Sequence, residues 1–416
     1  MQHMKAKITE PQFRLGFILV TTLFFMWGLS YGLVDVLNKH FQEALHITKA
    51  QSGLIQAAYF GAYFVIALPA GLFINKKGYK AGIILGLSLY AIGALLFVPA
   101  AMQLTFSFFL FALFVLALGL GCLETAANPY SSALGDPKTA EQRLNLSQSF
   151  NGLGQFFGPL IGGMFFFNSG GSAASGDFSA VTYTYVGIAL IVIVLIILFA
   201  KAKMPDLREN EAKLDAANVR NNSASLWSHN EFKFGVITQF FYVAAQVGVG
   251  AFFINLMVET WPQSSSQQGA YFLSIAMLAF LVGRFVSTAL MSKISANKLL
   301  MIYAIINIVL CAVILSGAQY ITVFAAIAIF FFMSSMFPTI FAMGVKNLGS
   351  KTKIGSSFMI MAIVGGAIMP YYMGKMADHF GTHISYALPL GCFLIVFAYA
   401  FSYKNTNLNS ADIASN

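Results

Sequence analysis

Two carboxylates stand in this chain with apolar sequence around them. Glu124, in Gly119-Leu-Gly-Cys-Leu-Glu124-Thr-Ala-Ala-Asn-Pro129, ends an apolar run from Phe106 to Leu123 that is long enough to cross a bilayer. Asp35, in Trp27-Gly-Leu-Ser-Tyr-Gly-Leu-Val-Asp35, lies near the far end of the first such run. An acid at membrane depth costs about 2.5–3.5 kcal/mol to insert, so it faces a bundle interior or a wet cavity and has a task there. Burial disfavours its charged form, and the chemistry open to it is reversible cation uptake, by exchange of a proton or binding of Na⁺. The plainer role is structural, as partner to an arginine or a backbone group. Arg284, in Leu281-Val-Gly-Arg284-Phe, is the one cation inside an apolar run, and either donates to a ligand or snorkels to an interface. The amides Gln148, Asn151 and Gln246 either face a solute or glue helices together.

Composition fixes what must position these groups. With 58% hydrophobic and 9% charged residues and a mean hydropathy of +0.74, the 416-residue chain lies far from the soluble mix of about 25% charged. Apolar runs of about 20 residues each suffice to cross the hydrocarbon core as helices. The pattern predicts twelve, at 14–38, 51–74, 81–101, 104–127, 144–167, 180–201, 233–258, 269–291, 297–317, 320–345, 354–374 and 384–403. The architecture is therefore an all-α membrane protein of two six-helix bundles, 1–201 and 232–416, joined by the polar stretch 202–231. The first run shows no small-residue cleavage pattern and reads as a membrane anchor. Cys122, Cys311 and Cys392 all sit in apolar runs and read as buried free thiols. The six histidines read as tail or loop residues, which argues against a buried metal site.

The net charge of +9 is explained by topology, since the basic residues lie in short loops and not on one soluble face; no nucleic-acid partner is expected. With a cytoplasmic N-terminus, 20 of the 24 Lys and Arg residues fall on the cytoplasmic side, Lys39, Lys49 and Lys375 on the outer side, and Arg284 within a span. Both termini are therefore expected in the cytoplasm. Weak internal similarity accompanies the six-plus-six pattern. Gly154, Pro159 and Gly163 of span five recur as Gly365, Pro370 and Gly374 of span eleven, and Asn128-Pro129 recurs as Phe337-Pro338. Such repetition is common in secondary transporters. The counterpart of Glu124 is Met333, so the acid belongs to one half only.

The same residues carry a resemblance. Gly119 to Pro129, Ser52-Gly-Leu-Ile-Gln56, Leu68-Pro-Ala-Gly71, Arg143-Leu-Asn-Leu146, Gly283-Arg284-Phe285, Pro338-Thr-Ile-Phe341 and Lys346-Asn-Leu-Gly349 resemble the fucose:proton symporter family of the major facilitator superfamily, across essentially all twelve spans. The resemblance implies that Asp35 and Glu124 are cavity carboxylates and that Gln148, Asn151 and Gln246 face the sugar. Two departures stand out: Asn75 where the superfamily usually has Asp, and Tyr31-Gly32 where the fucose carriers have paired asparagines. A neutral sugar gives the membrane potential nothing to act on, so uphill transport needs a coupled cation, H⁺ or Na⁺, and no other cofactor. Amide groups would pair the sugar hydroxyls, Arg284 is a further donor, and the faces of Trp27 or Tyr31 would cover the ring. The expected activity is cation-coupled symport of a monosaccharide such as fucose, glucose, galactose or N-acetylglucosamine across the inner membrane, by a monomer. Transport of another small polar solute is the alternative. An intramembrane aspartyl hydrolase is disfavoured, because its usual Gly-Asp motifs are absent.

Overall fold

A computed structural model describes residues 9, 11–135, 139–167, 176–202, 226–346, 348 and 352–413. Twelve long helices follow one another: α1 (Arg14–Leu45), α2 (Lys49–Lys77), α3 (Tyr79–Gln103), α4 (Phe106–Ala133), α5 (Ala140–Phe165), α6 (Ser179–Lys201), α7 (Asn230–Ala251), α8 (Ser266–Leu290), α9 (Ala296–Leu315), α10 (Gln319–Val345), α11 (Gly355–Phe380) and α12 (Thr382–Tyr403). Eleven of them are long and apolar enough to cross a membrane. The exception is α5, which is as long as its neighbours but carries Arg143, Gln148, Asn151 and Gln155; it packs between α1 and α8, where its polar face finds partners.

The helices meet the expected spans to within a few residues, except that α1 runs on to Leu45, α4 to Ala133 and α11 to Phe380, because a helix keeps its own backbone bonds beyond the hydrocarbon. Several of the long elements are interrupted, α7 and α10 among them. Phe252 separates α7 from a short continuation, Phe253–Thr260. In α10, Ser334 and Ser335 divide Gln319–Met333 from Met336–Val345, just ahead of Pro338, which has no N–H to return to the Ser334 carbonyl. Tyr242 donates to the Met333 carbonyl at 2.7 Å beside this break.

Two expectations are corrected. His40, His379 and His383 are not in loops: the last two lie in the final turn of α11 and the first turn of α12, and the longer α1 carries His40 into a buried aromatic cage of Phe41, Phe166, Phe167 and Phe178, with Nδ1 2.9 Å from the Phe166 carbonyl. Arg143 is not a free loop base. It is fully buried and donates to the carbonyls of Ser131 and Ser132 and to the Thr139 hydroxyl, satisfying the end of α4. The stretch read as a linker lies mostly outside the described residues, at 203–225, as do Lys138, Lys203, Arg208, Lys213, Arg220 and Lys351.

The repeated glycines show that the two halves are built alike. A Cβ at Gly154 of α5 would run into the Phe25 carbonyl of α1, and one at Gly163 would meet Tyr271 and Ala270 of α8. In α11, Gly365 faces the Phe240 carbonyl of α7 and Gly374 the Lys49 carbonyl of α2. The first glycine of each pattern thus lets a helix pack on the leading helix of its own half, and the last lets it pack on the second helix of the other half. Small residues do this in lipid because close backbone approach, not hydrophobic exclusion, holds membrane helices together. The halves meet along α2–α11 and α5–α8.

A candidate cation and solute site between the halves

The chain has a basic end, where Lys76, Lys77, Lys80, Lys201, Lys233, Lys293 and Lys298 lie at helix termini, and an opposite end that carries the α1–α2 and α7–α8 connections. Contacts that cross between the halves gather at the opposite end. Asp378 of α11 accepts from the backbone N–H groups of Lys49 and Ala50 at 3.0 Å each, capping the start of α2 from across the interface. Lys49 Nζ lies 2.6 Å from Glu259, which also accepts from the N–H and hydroxyl of Thr382 at 2.8 Å. Ser266 donates to Glu43, and Gln42 pairs with Asn255. Together these bonds shut this end.

Asp35 lies directly beneath that closure. Ten residues short of Leu45, it is about 15 Å along the helix from the closed end and only 5% exposed. Gln56 donates to its Oδ1 at 3.3 Å, and its Oδ2 rests against α7, where a Cβ at Gly250 would stand 2.7 Å away. Only glycine leaves α7 room for the carboxylate. Glu124 lies nearer the basic end of α4 and is half-buried. It interacts electrostatically with Tyr63 and Tyr59, whose buried hydroxyls complete no well-formed hydrogen bond. Among the described residues neither carboxylate forms an ion pair, which takes away the arginine partner that a structural role would call for.

Between the two acids runs an aromatic wall. Tyr31 meets Tyr59 and Phe60 edge-on at ring distances of 6.5 and 6.1 Å, Tyr59 lies 5.4 Å from Tyr63, and Trp27 stands one turn before Tyr31, beside Phe24. Across the interface, Gln246 of α7 reaches the Tyr31 hydroxyl. Arg284 of α8 is half-buried, stacks over Phe280 at 5.1 Å, feels Tyr242, and keeps a buried Nε without a hydrogen-bond partner. A guanidinium held in this way has donors to spare for a ligand. Gln148 is half-buried and donates to Asn128 at 3.2 Å.

Asn151 is placed differently from the other amides. Its Nδ2 donates to the Phe24 carbonyl at 3.1 Å and its Oδ1 accepts from Gln155 at 2.7 Å, so it ties α5 to α1 and positions Gln155, which is half-buried one turn on. From sequence, no site role is expected for Gln155, Tyr59 or Tyr63, nor for Asn128 and Gln56, which enter only within motifs. The legible signal was the helical spacing of Gln56, Tyr59 and Tyr63, three polar groups on one face of an apolar span. The Gly32 departure also has a physical ground here: a Cβ would press on the Gln155 carbonyl and on Pro159 at 2.6 and 2.8 Å.

A twelve-helix carrier with a polar site at the interface of two like halves is the class that fold and site define. The chain belongs to the major facilitator superfamily, which it matches over residues 17–353, and within it to the group of fucose and glucose/galactose carriers. It is 38% identical over 395 residues to a glucose/galactose transporter of Brucella abortus, covering 94% of this chain and 95% of that one. It is 36% identical over 413 residues to the L-fucose-proton symporter of Escherichia coli, covering 95% and 94%. The crystal structure of the E. coli fucose:proton symporter superposes with a TM-score of 0.68 at 34% identity, over 94% of this chain and 99% of that one. A bacterial homologue of the lysosomal transporter Spinster, inward-facing and occupied, superposes with a TM-score of 0.74 at 14% identity over 96% and 98%, a likeness of fold.

Proposed function

We propose that the chain imports a monosaccharide together with a proton across the bacterial inner membrane by alternating access. The observation that carries the reading is the pair of acids that have no ion-pair partner among the described residues and lie at two depths: Asp35 shut in beneath a closed end, and Glu124 half-exposed on the other side of the aromatic wall. A carboxylate with no fixed counter-charge is ready to take up and release a cation as the cavity changes sides. The names of the relatives support a hexose or deoxyhexose as the solute and H⁺ as the ion.

In this reading Trp27 and Tyr31 cover the apolar face of the ring, while Gln148, Gln246 and Arg284 pair its hydroxyls; Asn151 contributes by holding Gln155 toward the cavity. The 20-to-3 division of basic residues puts both termini and the 202–231 linker in the cytoplasm, so the closed end is the outer one and the structure faces inward. Residues 1–201 and 232–416 are the two rocking bodies, and one copy suffices, since the residues assigned to the solute, Tyr31 and Gln148 from one half and Gln246 and Arg284 from the other, all belong to one chain. The test is uptake into proteoliposomes of labelled fucose, glucose, galactose and N-acetylglucosamine under separately imposed proton and sodium gradients. Accumulation of at least one sugar under the proton gradient alone is expected. Accumulation that follows only the sodium gradient, or no sugar accumulated, overturns the reading.

A further inference from the structure

A row of buried amides joins Asp35 to the opposite half of the molecule. Gln56 donates to Asp35 Oδ1 at 3.3 Å, Asn38 to Gln56 Oε1 at 2.9 Å, Gln42 to Asn38 Oδ1 at 2.7 Å, and Asn255 to Gln42 Oε1 at 2.6 Å. Asp35, Asn38 and Gln42 share one face of α1, Gln56 comes from α2, and Asn255 belongs to the continuation of α7 in the second half. None is more than 9% exposed.

These four bonds run in one sense, toward Asp35, and the end of the chain dictates that sense; at the crossing Gln42 also returns a longer bond to Asn255 Oδ1, at 3.4 Å. An ionised carboxylate only accepts, so the amide facing it presents its NH₂ and is left with its oxygen for the next amide, which must do the same. Ser52 reinforces the order. Its carbonyl takes a bond from Asn38 at 3.3 Å and its hydroxyl one from Gln42 at 2.8 Å, and a carbonyl cannot reverse its role. Donation to an ionised group is stronger than donation to a neutral one, and hydrogen bonds in a chain polarise each other. The last bond, Gln42 with Asn255, is the one that crosses between the halves.

We infer that this amide chain transmits the charge state of Asp35 to the closure at the outer end, so that Gln56, Asn38, Gln42 and Asn255 are positioning residues for coupling. The inference rests on Asp35 as a cation-binding carboxylate, proposed above. With Asp35 ionised, the chain is polarised toward it and the halves are held together. When Asp35 takes a proton, its bond to Gln56 becomes a neutral one, the polarisation falls along the row, and the link to Asn255 weakens. That link gives way because the other members are anchored within one half. The protonated carrier is thereby biased to stay open outside until sugar is loaded, which limits proton leak.

The groups that could confuse a pH response are identifiable. Tyr31 on α1 and Tyr386 on α12 feel the Asp35 charge; α2 and α7 present uncharged Gln56 and Gly250 to it. The charged and titratable groups at the same end are Lys39, His40 and Glu43 on α1, His46 after it, Lys49 on α2, Asp177 ahead of α6, Glu259 beyond α7, Lys375, Asp378 and His379 on α11, and His383 on α12.

The experiment places spin labels on cysteines at Met102 and Ala318, exposed ends of α3 and the α9–α10 turn, with the buried Cys122, Cys311 and Cys392 replaced. Distance distributions are measured in lipid nanodiscs from about pH 5 to about pH 9, a range that spans shifted carboxylates. The outer-open fraction of the parent should rise about threefold or more as pH falls, the size expected when one charge-assisted bond becomes neutral. In Asn255→Leu and in Gln42→Met that dependence should be lost, while Lys49→Gln should raise the open fraction and keep the dependence. Two different chain variants guard against one that misfolds, and binding of sugar to each is the check on folding. A parental pH profile in either folded variant overturns the inference. If instead Asp35→Asn keeps the parental profile, the reading of Asp35 itself is what fails.

Discussion

Removing the Asp378 carboxylate should open the outer end by a calculable amount. Asp378 accepts two backbone N–H groups across the interface at 3.0 Å, at the start of α2 where the first N–H groups have no helical partner. A hydrogen bond to a charged group contributes about 1.5–3 kcal/mol when protected. The Asp378 bonds are solvent-exposed, so about 1 kcal/mol each is the larger part that survives screening. Losing both, about 2 kcal/mol, shifts the closed-to-open equilibrium about 30-fold toward the outward-open form. The Lys49–Glu259 pair, with side chains 21% and 31% exposed, stays in place and holds back part of the opening, as an ion pair there is worth about 1 kcal/mol or less. Distance measurement between labels at Met102 and Ala318 in Asp378→Ala reads the shift directly, and high salt should reproduce some of it in the parent. A parental distance distribution together with parental uptake in Asp378→Ala would show that the latch does not hold the gate and would refute this reasoning.

Glu124→Gln, which keeps the shape of the protonated acid, should abolish accumulation in a proton gradient while exchange of labelled for unlabelled sugar persists; accumulation equal to the parent's removes Glu124 from coupling. Asp35→Asn should weaken both activities, as assayed in the same vesicles. Arg284→Lys is expected to cut uptake about tenfold, since an ammonium cannot reproduce the guanidinium's fork of donors; unchanged uptake would make Arg284 a packing residue. Gly154→Ala and Gly365→Ala should each lower the melting temperature in detergent through about 1–3 kcal/mol of overpacking, and a variant as stable as the parent would contradict the tight crossings. Cysteines at Ser172 and Asn221 should be labelled from opposite sides of the membrane, the second from the cytoplasm only.

The twelve helices were legible because bilayer thickness imposes an apolar run on each, and so were Asp35 and Glu124, because an acid is conspicuous in such a run. His40 was misplaced for the same reason in reverse: polar Asn38 and Lys39 end the apolar run, yet nothing in them ends the helix, and His40 is buried by Phe166 and Phe178 from distant parts of the chain. Arg143 looked like one more loop base because sequence does not show that the α4 carbonyls bend back to meet it. Asn151 and Gln148 are alike in type and close in sequence, and only three-dimensional packing separates them: Asn151 points at the Phe24 carbonyl, while Gln148 stays half-exposed beside Asn128. The row from Gln56 to Asn255 was out of reach altogether, since its members come from three helices and two halves.

The duplicated scaffold makes the lopsided placement of charge informative. Packing is repeated faithfully, with Gly154 and Gly365 each seating a helix on the leading helix of its half, yet the chemistry is not. Where the first half has Glu124, the second has Met333, whose carbonyl is occupied by the Tyr242 hydroxyl. Where the second half has Arg284, the first has no buried cation of that kind among its described residues, Arg143 being committed to carbonyls. In the proposed mechanism the first half therefore holds the cation, at Asp35 and Glu124, and the second supplies Gln246 and Arg284 to the solute. A solute lying on Tyr31 and bonded to Gln246 spans both halves, so its binding energy falls on the interface that must rearrange. Cation binding alone loosens a link between the halves without bridging them at the solute, and solute binding alone leaves a buried carboxylate charged. Only when both are bound is the site neutral and bridged, which is the condition a symporter needs before its two halves move together.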